Sequence, residues 1–406
     1  MANGGKRLLV WAAAALAGIL FLGGGIRVLA DCASFGLPFT DLGATGFCAQ
    51  IAEAYYSGLS NGTSATTYSP TANVPREQMA AFVTRTLDQS LQRGSRRAAL
   101  AQWWSSTPHY DSSLGVTAVG SNPFLVQSDG ADVWVANNTS ATVSRVRASD
   151  GKLLDTWTGA TSAYGVLVAM GRVFVTGSAS PGNLYLIDPT QPAGPVTSVA
   201  STLGNTPQGI AFDGNKIWTA NFSATSSGSV SIVTPGGAWA VTTVTTGFSE
   251  PAGAVFDGTN IWVTDDGDST LKKLDSNGAI LQSVSVGSFP QFPVFDGRNI
   301  WVPNRGDSLA TGSLTVVRIS DGAVLKTFSA GNGNQNGMNF PMSAAFDGQR
   351  ILVTNGGGAS VSLFKATDLS IIGTILTAGV AVPFGACSDG VNFWVSFFSG
   401  NKVGRF

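Results

Sequence analysis

Histidine occurs once in this chain of 406 residues, as His109, and cysteine three times, as Cys32, Cys48 and Cys387. One imidazole cannot build a His-rich zinc site, and three scattered thiols cannot supply the four of an all-cysteine site. No Cys-x-x-Cys-His is present, which excludes covalent haem attachment. Charge is scarce as well. Lys and Arg number 23 and Asp and Glu 24, together 12% of the chain, where about 25% is usual. A formal net charge of -1 gives no electrostatic footprint for nucleic acid and excludes that class of partner. What is abundant is glycine, 51 residues, nearly twice the usual ~7%. A hydrophobic content of 44% excludes a disordered chain, and the length suits one large domain and a small one.

The N-terminus has the order of an export segment. Lys6 and Arg7 precede an apolar run from Leu8 to Leu22, glycines 23–25 break it, and Val28-Leu29-Ala30 ends on a small residue. Residues 1–30 are therefore expected to be a secretory signal peptide cleaved after Ala30. The uncharged stretch from Leu8 to Ile26 also approaches the length of a signal anchor, the alternative. Cys32 is placed like a lipoprotein cysteine, but the acidic Asp31 before it argues against lipidation. Either way the chain from Asp31 onward is expected outside the cytoplasm, secreted or at the cell surface, in the periplasm or outer envelope. Disulfides persist there, so Cys32 and Cys48 can pair. Cys387, in an apolar strand, is expected to be a buried small hydrophobe.

The rest of the chain repeats itself. Asp-Gly followed by Ile/Val/Phe-Trp recurs at Asp129/Trp134, Asp213/Trp218, Asp257/Trp262, Asp296/Trp301 and Asp389/Trp394. Asp347 is followed by Leu352, and Met170-Gly171 with Phe174 is a degenerate copy. The marks stand 41, 43, 44, 39, 51 and 42 residues apart. A period of about 40–45 with short alternating strands is that of four-stranded propeller blades. Six residues before each mark stands Pro123, Pro207, Pro251, Pro290, Pro341 or Pro383, with Tyr164 in the degenerate copy. Proline opens a strand where its missing N–H costs no ladder bond. Asp-Gly then makes a tight hairpin. Asn137, Asn221, Asp265, Asn304 and Asn355 lead the next turn, where a short polar side chain caps the backbone. The chain ends three strands into the seventh unit, and residues 115–120 look like a fourth strand. Residues 115–406 are thus expected to be one all-β, seven-bladed β-propeller closed by that N-terminal strand.

The motif Pro-x5-Asp-Gly-x-x-Ile-Trp-Val-x-Asn resembles the YVTN/YncE-like and NHL-like propeller repeats. The resemblance implies the fold, and a propeller by itself implies no activity.

A small helical module is expected over residues 31–87, with a linker over 88–114. Phe39-Thr40-Asp41-Leu42, the stretch from Ile51 to Leu59, Tyr68-Ser69-Pro70 and the stretch from Val74 to Phe82 form an ordered series. Met79, Phe82, Val83, Thr86 and Leu87 make a helical stripe, and Pro75 suits a first helical position. This series resembles a single S-layer homology (SLH) domain, an α-helical module that binds cell-wall-linked polysaccharide. The resemblance implies that Arg76 contacts acidic sugars, with Glu77 and Asp41 beside it. Pro75 stands where that family has Thr, and one copy is present where three often assemble, so a purely structural helix cap is the alternative. In the linker, Arg93, Arg96 and Arg97 are expected on a solvated face.

Catalytic candidates are few. His109 lies in the linker, so no Ser-His-Asp triad can form within the propeller, and the channel histidine of propeller lyases has no counterpart. Glu250 is the only Glu of residues 115–406. Asp265, Asp266 and Asp268 are a weak candidate for Ca2+, but Gly267 falls too early for an EF-hand and a polar turn is the simpler reading. The repeated Trp is expected to pack blade against blade. One face of the propeller carries Asn137, Asn221, Asp265, Asp266, Asn304, Arg305 and Asn355, together with the loop 331–340 of the longest interval. Insertions in repeat proteins often sit on the binding face, so a ligand is expected there, or else these are turn caps around a water-filled channel.

The expectation is a secreted, envelope-associated binding or scaffold protein without enzymatic activity. Its SLH-like module would anchor to cell-wall polysaccharide or another envelope component, and its propeller would bind a protein or glycan ligand. No cofactor is expected, with Ca2+ the one candidate. A carboxylate- or Ca-dependent hydrolase or lyase is one alternative. A surface-layer or filament subunit is another, since low charge permits self-association.

Overall fold

A computed structural model describes residues 37–42, 47, 51, 54–55, 62–75, 79, 115–223, 228–309, 311–330, 337–377 and 382–406. The chain divides into two compact units, Met1–Arg93 and Gly94–Phe406. The export segment, Cys32, Cys48, Arg76, Glu77, the linker with His109 and the loop 331–336 lie outside the described residues.

In the first unit Phe39, Leu42 and Ile51 are buried together, with Tyr55 and Tyr68 against them. The Asp41 carboxylate accepts the backbone N–H groups of Tyr68 at 2.8 Å and Ser69 at 2.7 Å. These bonds hold its pKa below the ordinary carboxylate value, as charge-assisted acceptance from backbone donors does. Asp41 thus ties the chain at residue 41 to the Tyr68-Ser69 turn. Met79, placed in the buried stripe by its spacing, is exposed.

The second unit is a seven-bladed β-propeller. Among the described residues its strands form seven four-stranded antiparallel sheets. In the first blade Pro123–Ser128, Asp132–Asn137, Thr142–Arg147 and Leu153–Thr158 pair in chain order, inner to outer. The seventh blade takes its outer strand from the start of the unit. Val116–Ala118 pairs with Lys402–Arg405, Thr117 opposite Val403. The strand that precedes the first blade thus completes the sheet of the last and ties the two ends of the ring together.

Burial grades outward from the second strand. Asp132–Asn137 and Asn299–Asn304 are buried at every residue, since each lies between flanking strands and between neighbouring blades. The outer strand Val324–Ser329 is exposed at all but Phe328. The apolar clusters cross blade boundaries. Trp262 and Leu271 of blade four pack on Ile300, Val302 and Val317 of blade five. Trp394 of blade seven packs on Val133, Val135 and Val146 of blade one.

The recurring Asp and Trp are joined by a bond that spacing alone does not reveal. Asp257 Oδ1 accepts the backbone N–H groups of Thr259 and Asn260 at 2.8 and 2.6 Å. Its Oδ2 accepts Trp262 Nε1–H at 2.7 Å. Asp129, Asp213, Asp296 and Asp389 hold Trp134, Trp218, Trp301 and Trp394 in the same way, at 2.7–3.0 Å. One carboxylate therefore closes the hairpin and satisfies a buried indole N–H that packing alone would leave unpaired. Gly258 between them has φ +94°, a conformation only glycine adopts without strain.

The two irregular copies adapt together. In blade six Leu352 replaces Trp, and Asp347 Oδ2 accepts Arg350 Nε–H at 2.7 Å instead. In blade two both Asp and Trp are lost. Ala169 pairs directly with Arg172, so Met170-Gly171 is a two-residue turn with both φ positive, 53° and 68°. The hairpin keeps its length, since Val168 pairs with Val173 as Ser128 pairs with Val133, so Ala169 stands where blade one has Asp129 and the alignment shifts by one. Ala163, opposite Gly177, takes the place of the prolines, and Tyr164 takes the place one residue inward, where blade one has Phe124.

Candidate functional site

The turn-leading residues are inside the blades. Asn137, Asn221, Asp265, Asn304 and Asn355 are each 0% exposed and are not available to a ligand as a surface row. Asn221 Nδ2 donates to Ser229 Oγ at 3.1 Å and Ser231 Oγ at 2.9 Å. Asn137, Asn304 and Asn355 bond the matching hydroxyl pairs of their own third strands. Blade four replaces amide and hydroxyl together. Asp265 stands for Asn, and Lys272, 3% exposed, stands for the second hydroxyl residue. Lys272 Nζ lies 2.6 Å from Asp265 Oδ2 and 2.5 Å from Asp268 Oδ2. An ammonium therefore fills the place between two of the three carboxylates considered for Ca2+, and the third, Asp266, turns to Gln291. Among the described residues no group of three His, Cys, Asp or Glu could hold a metal ion.

The next residue in each blade does reach the mouth of the channel. Seven backbone N–H groups, of Asn138, Ser178, Phe222, Asp266, Arg305, Gly356 and Phe398, donate to the residue preceding the inner-strand start, at 2.9–3.1 Å. The second ring of the mouth follows that start: Phe124, Tyr164, Gln208, Ala252, Gln291, Met342 and Phe384. Hydroxyls staple several of these to the preceding blade. Thr264 Oγ1 accepts Gly253 N–H at 2.8 Å and donates to the Gln291 carbonyl at 2.7 Å. Thr354 does the same between Ser343 N–H and the Phe384 carbonyl, and Ser396 between Gly385 N–H and the Phe124 carbonyl. A Cβ at Gly165 would lie 2.2 Å from the Gln208 carbonyl oxygen, so the blades approach too closely there for any side chain.

The channel is closed at this level by aromatic rings. Phe124 stacks on Tyr164, with centroids 4.2 Å apart and planes at 21°. Phe384 and Phe398 meet Phe124 edge-on at 4.8 and 5.0 Å. Tyr164 reaches Phe292 of blade five at 5.9 Å. Contacts from blade two to blade five span the axis, so the mouth has an aromatic floor rather than an open, water-filled bore. Below it the inner strands line a half-open cavity of about 450 Å3, bordered among others by Val168, Ile210, Phe292 and Cys387. Burial pushes the Cys387 thiol well above its ordinary pKa, which makes it a poor nucleophile.

Beside the floor lies a polar cluster from blades four and five. Asp266 is 4% exposed. Its Oδ2 accepts Gln291 Nε2–H at 2.8 Å, while Oδ1 is buried without a partner. The Arg305 guanidinium lies over Phe289, 4.9 Å from its centroid, and its Nε is also buried without a partner. Burial pushes the Asp266 carboxyl up to about 6; the Gln291 bond and the Arg305 charge pull it down, and Glu250 and Asp265 add to the rise. Burial likewise raises the Tyr164 phenol, with Arg305 opposing and Asp266 adding, so the hydroxyl stays protonated. Tyr164 thus senses both charged groups while stacking on Phe124.

No family model matches the chain, and no curated protein matches it. Solved structures do. A Kuenenia stuttgartiensis hydrazine synthase chain aligns with a TM-score of 0.60 and 16% identity, over 71% of this chain and 97% of that one. Virginiamycin B lyase from Staphylococcus aureus aligns with 0.56 and 17%, over 71% and 98%. The WD40 propeller domain of Doa1 aligns with 0.58 and 14%, over 72% and 95%. What they share with this chain is the propeller. At such identities the likeness shows the fold alone, and two of the three carry enzyme names.

Of the residues expected on the binding face, Asp266 and Arg305 are brought to the mouth. Tyr164, Gln291 and the phenylalanines escaped notice. The position after the repeated proline holds Phe124, Gln208, Ala252, Gln291, Met342 and Phe384, but the flanking positions vary as well, so the sequence alone does not single it out.

The Asp266 pKa has a consequence for stability. Its folded value of about 6 exceeds the ordinary 3.8, so the folded state holds the proton more tightly. That advantage is complete below about pH 4 and is lost as pH rises through about 6. Asp266→Asn, which cannot ionise, should match the parent near pH 4 and exceed it by about 2 kcal/mol at pH 7, allowing for partial solvation of the site. Urea unfolding of both proteins between pH 4 and 8 measures this; parallel pH profiles would contradict the assignment.

Proposed function

We propose that the protein is an exported, envelope-associated binding protein whose propeller takes its ligand at the aromatic mouth. The observation that carries this reading is the pair of buried, unpartnered polar atoms there, Asp266 Oδ1 and Arg305 Nε. Buried polar groups without partners are costly, and a ligand that engages them recovers that cost. The export-like segment at residues 1–30 supports placement outside the cytoplasm, and the SLH-like series at 31–87 supports attachment to cell-wall polysaccharide through Arg76, with Glu77 and Asp41 beside it. Residues 115–406 contain no histidine, which favours binding over acid–base catalysis by an imidazole.

The anchoring half is tested by sedimenting the protein lacking residues 1–30 with isolated cell-wall fractions. Co-sedimentation is expected, and Arg76→Ala should release most of the bound protein. Protein that stays in the supernatant removes the anchor from the proposal; an Arg76→Ala variant that still pellets removes the role of Arg76.

One observation favours a second reading. A carboxyl with a pKa of about 6 is suited to general acid–base work near neutral pH, and Glu250 is a second carboxyl close enough to affect it. A carboxylate-dependent hydrolase or lyase is therefore the alternative. Turnover of polysaccharide or lactone substrates, lost in Asp266→Asn, would establish it over simple binding; loss on adding a chelator would point to Ca2+.

A further inference from the structure

Blade four departs from its sisters at three places around one turn. Asp265 pairs with Thr270 across that turn as Asn137 pairs with Thr142 in blade one and Asn355 with Ser360 in blade six. The three turns are therefore equal in length and their positions compare directly. Asp265 stands where the sisters have Asn137 and Asn355, and Lys272 where they have Ser144 and Ser362. Asp268 stands where they have Ser140 and Gly358. The sisters place no charge here. A buried ion pair is often no more stable than a neutral arrangement, because two charges must leave water. Stability alone therefore does not account for the exchange.

Together the three groups hold an amine against a carboxyl with water excluded. Lys272 Nζ lies 2.6 Å from Asp265 Oδ2, and both side chains are buried. The Phe248 ring covers the amine. Asp265 Oδ1 accepts Glu250 N–H at 2.8 Å. A donor thus already sits on the oxygen that gains charge when the carboxyl carbon is attacked. Asp268 Oδ2 is 2.5 Å from the same Nζ, and its side chain is half-exposed. The Thr270 hydroxyl holds its other oxygen at 2.5 Å. Nucleophile, carboxyl and a second carboxylate in mutual contact are an arrangement that proximity favours for reaction.

We propose that Lys272 and Asp265 condense into an isopeptide bond within blade four. Nζ attacks Asp265 Cγ, and the intermediate holds its charge on Oδ1 against Glu250 N–H. The Nζ–Cγ bond forms and the Cγ–Oδ2 bond breaks. Of the three ammonium protons, one stays on the amide nitrogen. The other two pass through Asp268 to Oδ2, which departs as water, and Asp268 ends as it began. The charges of Lys272 and Asp265 cancel, so the product buries none. Its carbonyl oxygen keeps Glu250 N–H, and its N–H keeps the Gly247 carbonyl, which Nζ already meets at 2.8 Å.

The test is mass spectrometry of the whole protein, purified in its folded state, then denatured and digested with trypsin. The peptide spanning Asp265 and Lys272 is expected to be lighter by one water, uncut after Lys272, and closed between the two residues on fragmentation. Lys272→Ala should restore its full mass. Asp268→Asn, at a half-exposed position and checked for folding by its thermal melt, should leave most of the peptide at full mass. A parent peptide of full mass, cut after Lys272, overturns the proposal. So does a water loss that persists in Lys272→Ala or leaves Lys272 cleavable, which would place it in a succinimide at Asp266-Gly267. Unchanged water loss in folded Asp268→Asn overturns the proton transfer through Asp268.

Discussion

Lys272→Ala is expected to destabilise the propeller by about 3–5 kcal/mol, because it leaves a buried carboxylate without its counter-charge. Asp265 is 0% and Lys272 3% exposed. Lys272 Nζ also donates to the Gly247 carbonyl at 2.8 Å and lies 5.5 Å from the centre of the Phe248 ring. Among the described residues Lys272 is the cation paired with Asp265, whose oxygens also accept the backbone N–H groups of Ser249 and Glu250. The sister blades show the uncharged solution: in blade three Asn221 bonds Ser229 and Ser231. Asp265→Asn combined with Lys272→Ser copies that arrangement and should recover more than half of the loss. Urea midpoints at constant slope measure both. A single-variant loss under about 1 kcal/mol would place the pair in the class of surface ion pairs and contradict its burial.

Trp262 yields the second large effect. Trp262→Ala should cost about 3–5 kcal/mol, since it empties the blade-four to blade-five interface. Trp262→Phe separates packing from hydrogen bonding. It fills much of the space but leaves Asp257 Oδ2 with no partner, at a cost of about 1–3 kcal/mol. Blade six shows how a blade without Trp satisfies its Asp: Arg350 bonds Asp347 where Leu352 stands. Asn260 occupies the place of Arg350 in blade four, so adding Asn260→Arg to Trp262→Phe should restore part of the loss. No recovery, with both proteins folded, would mean that the unpaired carboxylate is not what the Phe variant suffers from.

These two sites also show where sequence reading stopped. The interval from Asp to Trp was visible at five blades, and so was the fold it implied. The bond between them was not, because spacing on a strand does not say which way a carboxylate turns. The Asn series was visible too, yet it pointed to a binding surface. The hydroxyls five and seven residues on, or eight and ten, or nine and eleven, are the partners. Variable loop length hid that correspondence until strand register aligned it. In blade two the turn glycine, Gly171, stands one residue later than in the other blades, so the repeat pattern put Tyr164 at the place of a structural proline, while the strand register puts Ala163 there and Tyr164 at the floor of the mouth.

The sequence by itself determined the repeat, the hairpins and the number of blades. Each of these rests on contacts between residues close in the chain, which recur with the period. The mouth was decided by the tertiary structure. Phe124 meets Phe398, Tyr164 meets Phe292, and Asp266 lies beside Arg305 only because seven similar blades close into a ring. Closure brings the same position of each blade to a common axis, where side chains from distant parts of the chain share one small space. What forms there depends on which residue each blade happens to supply, and no local pattern encodes that combination.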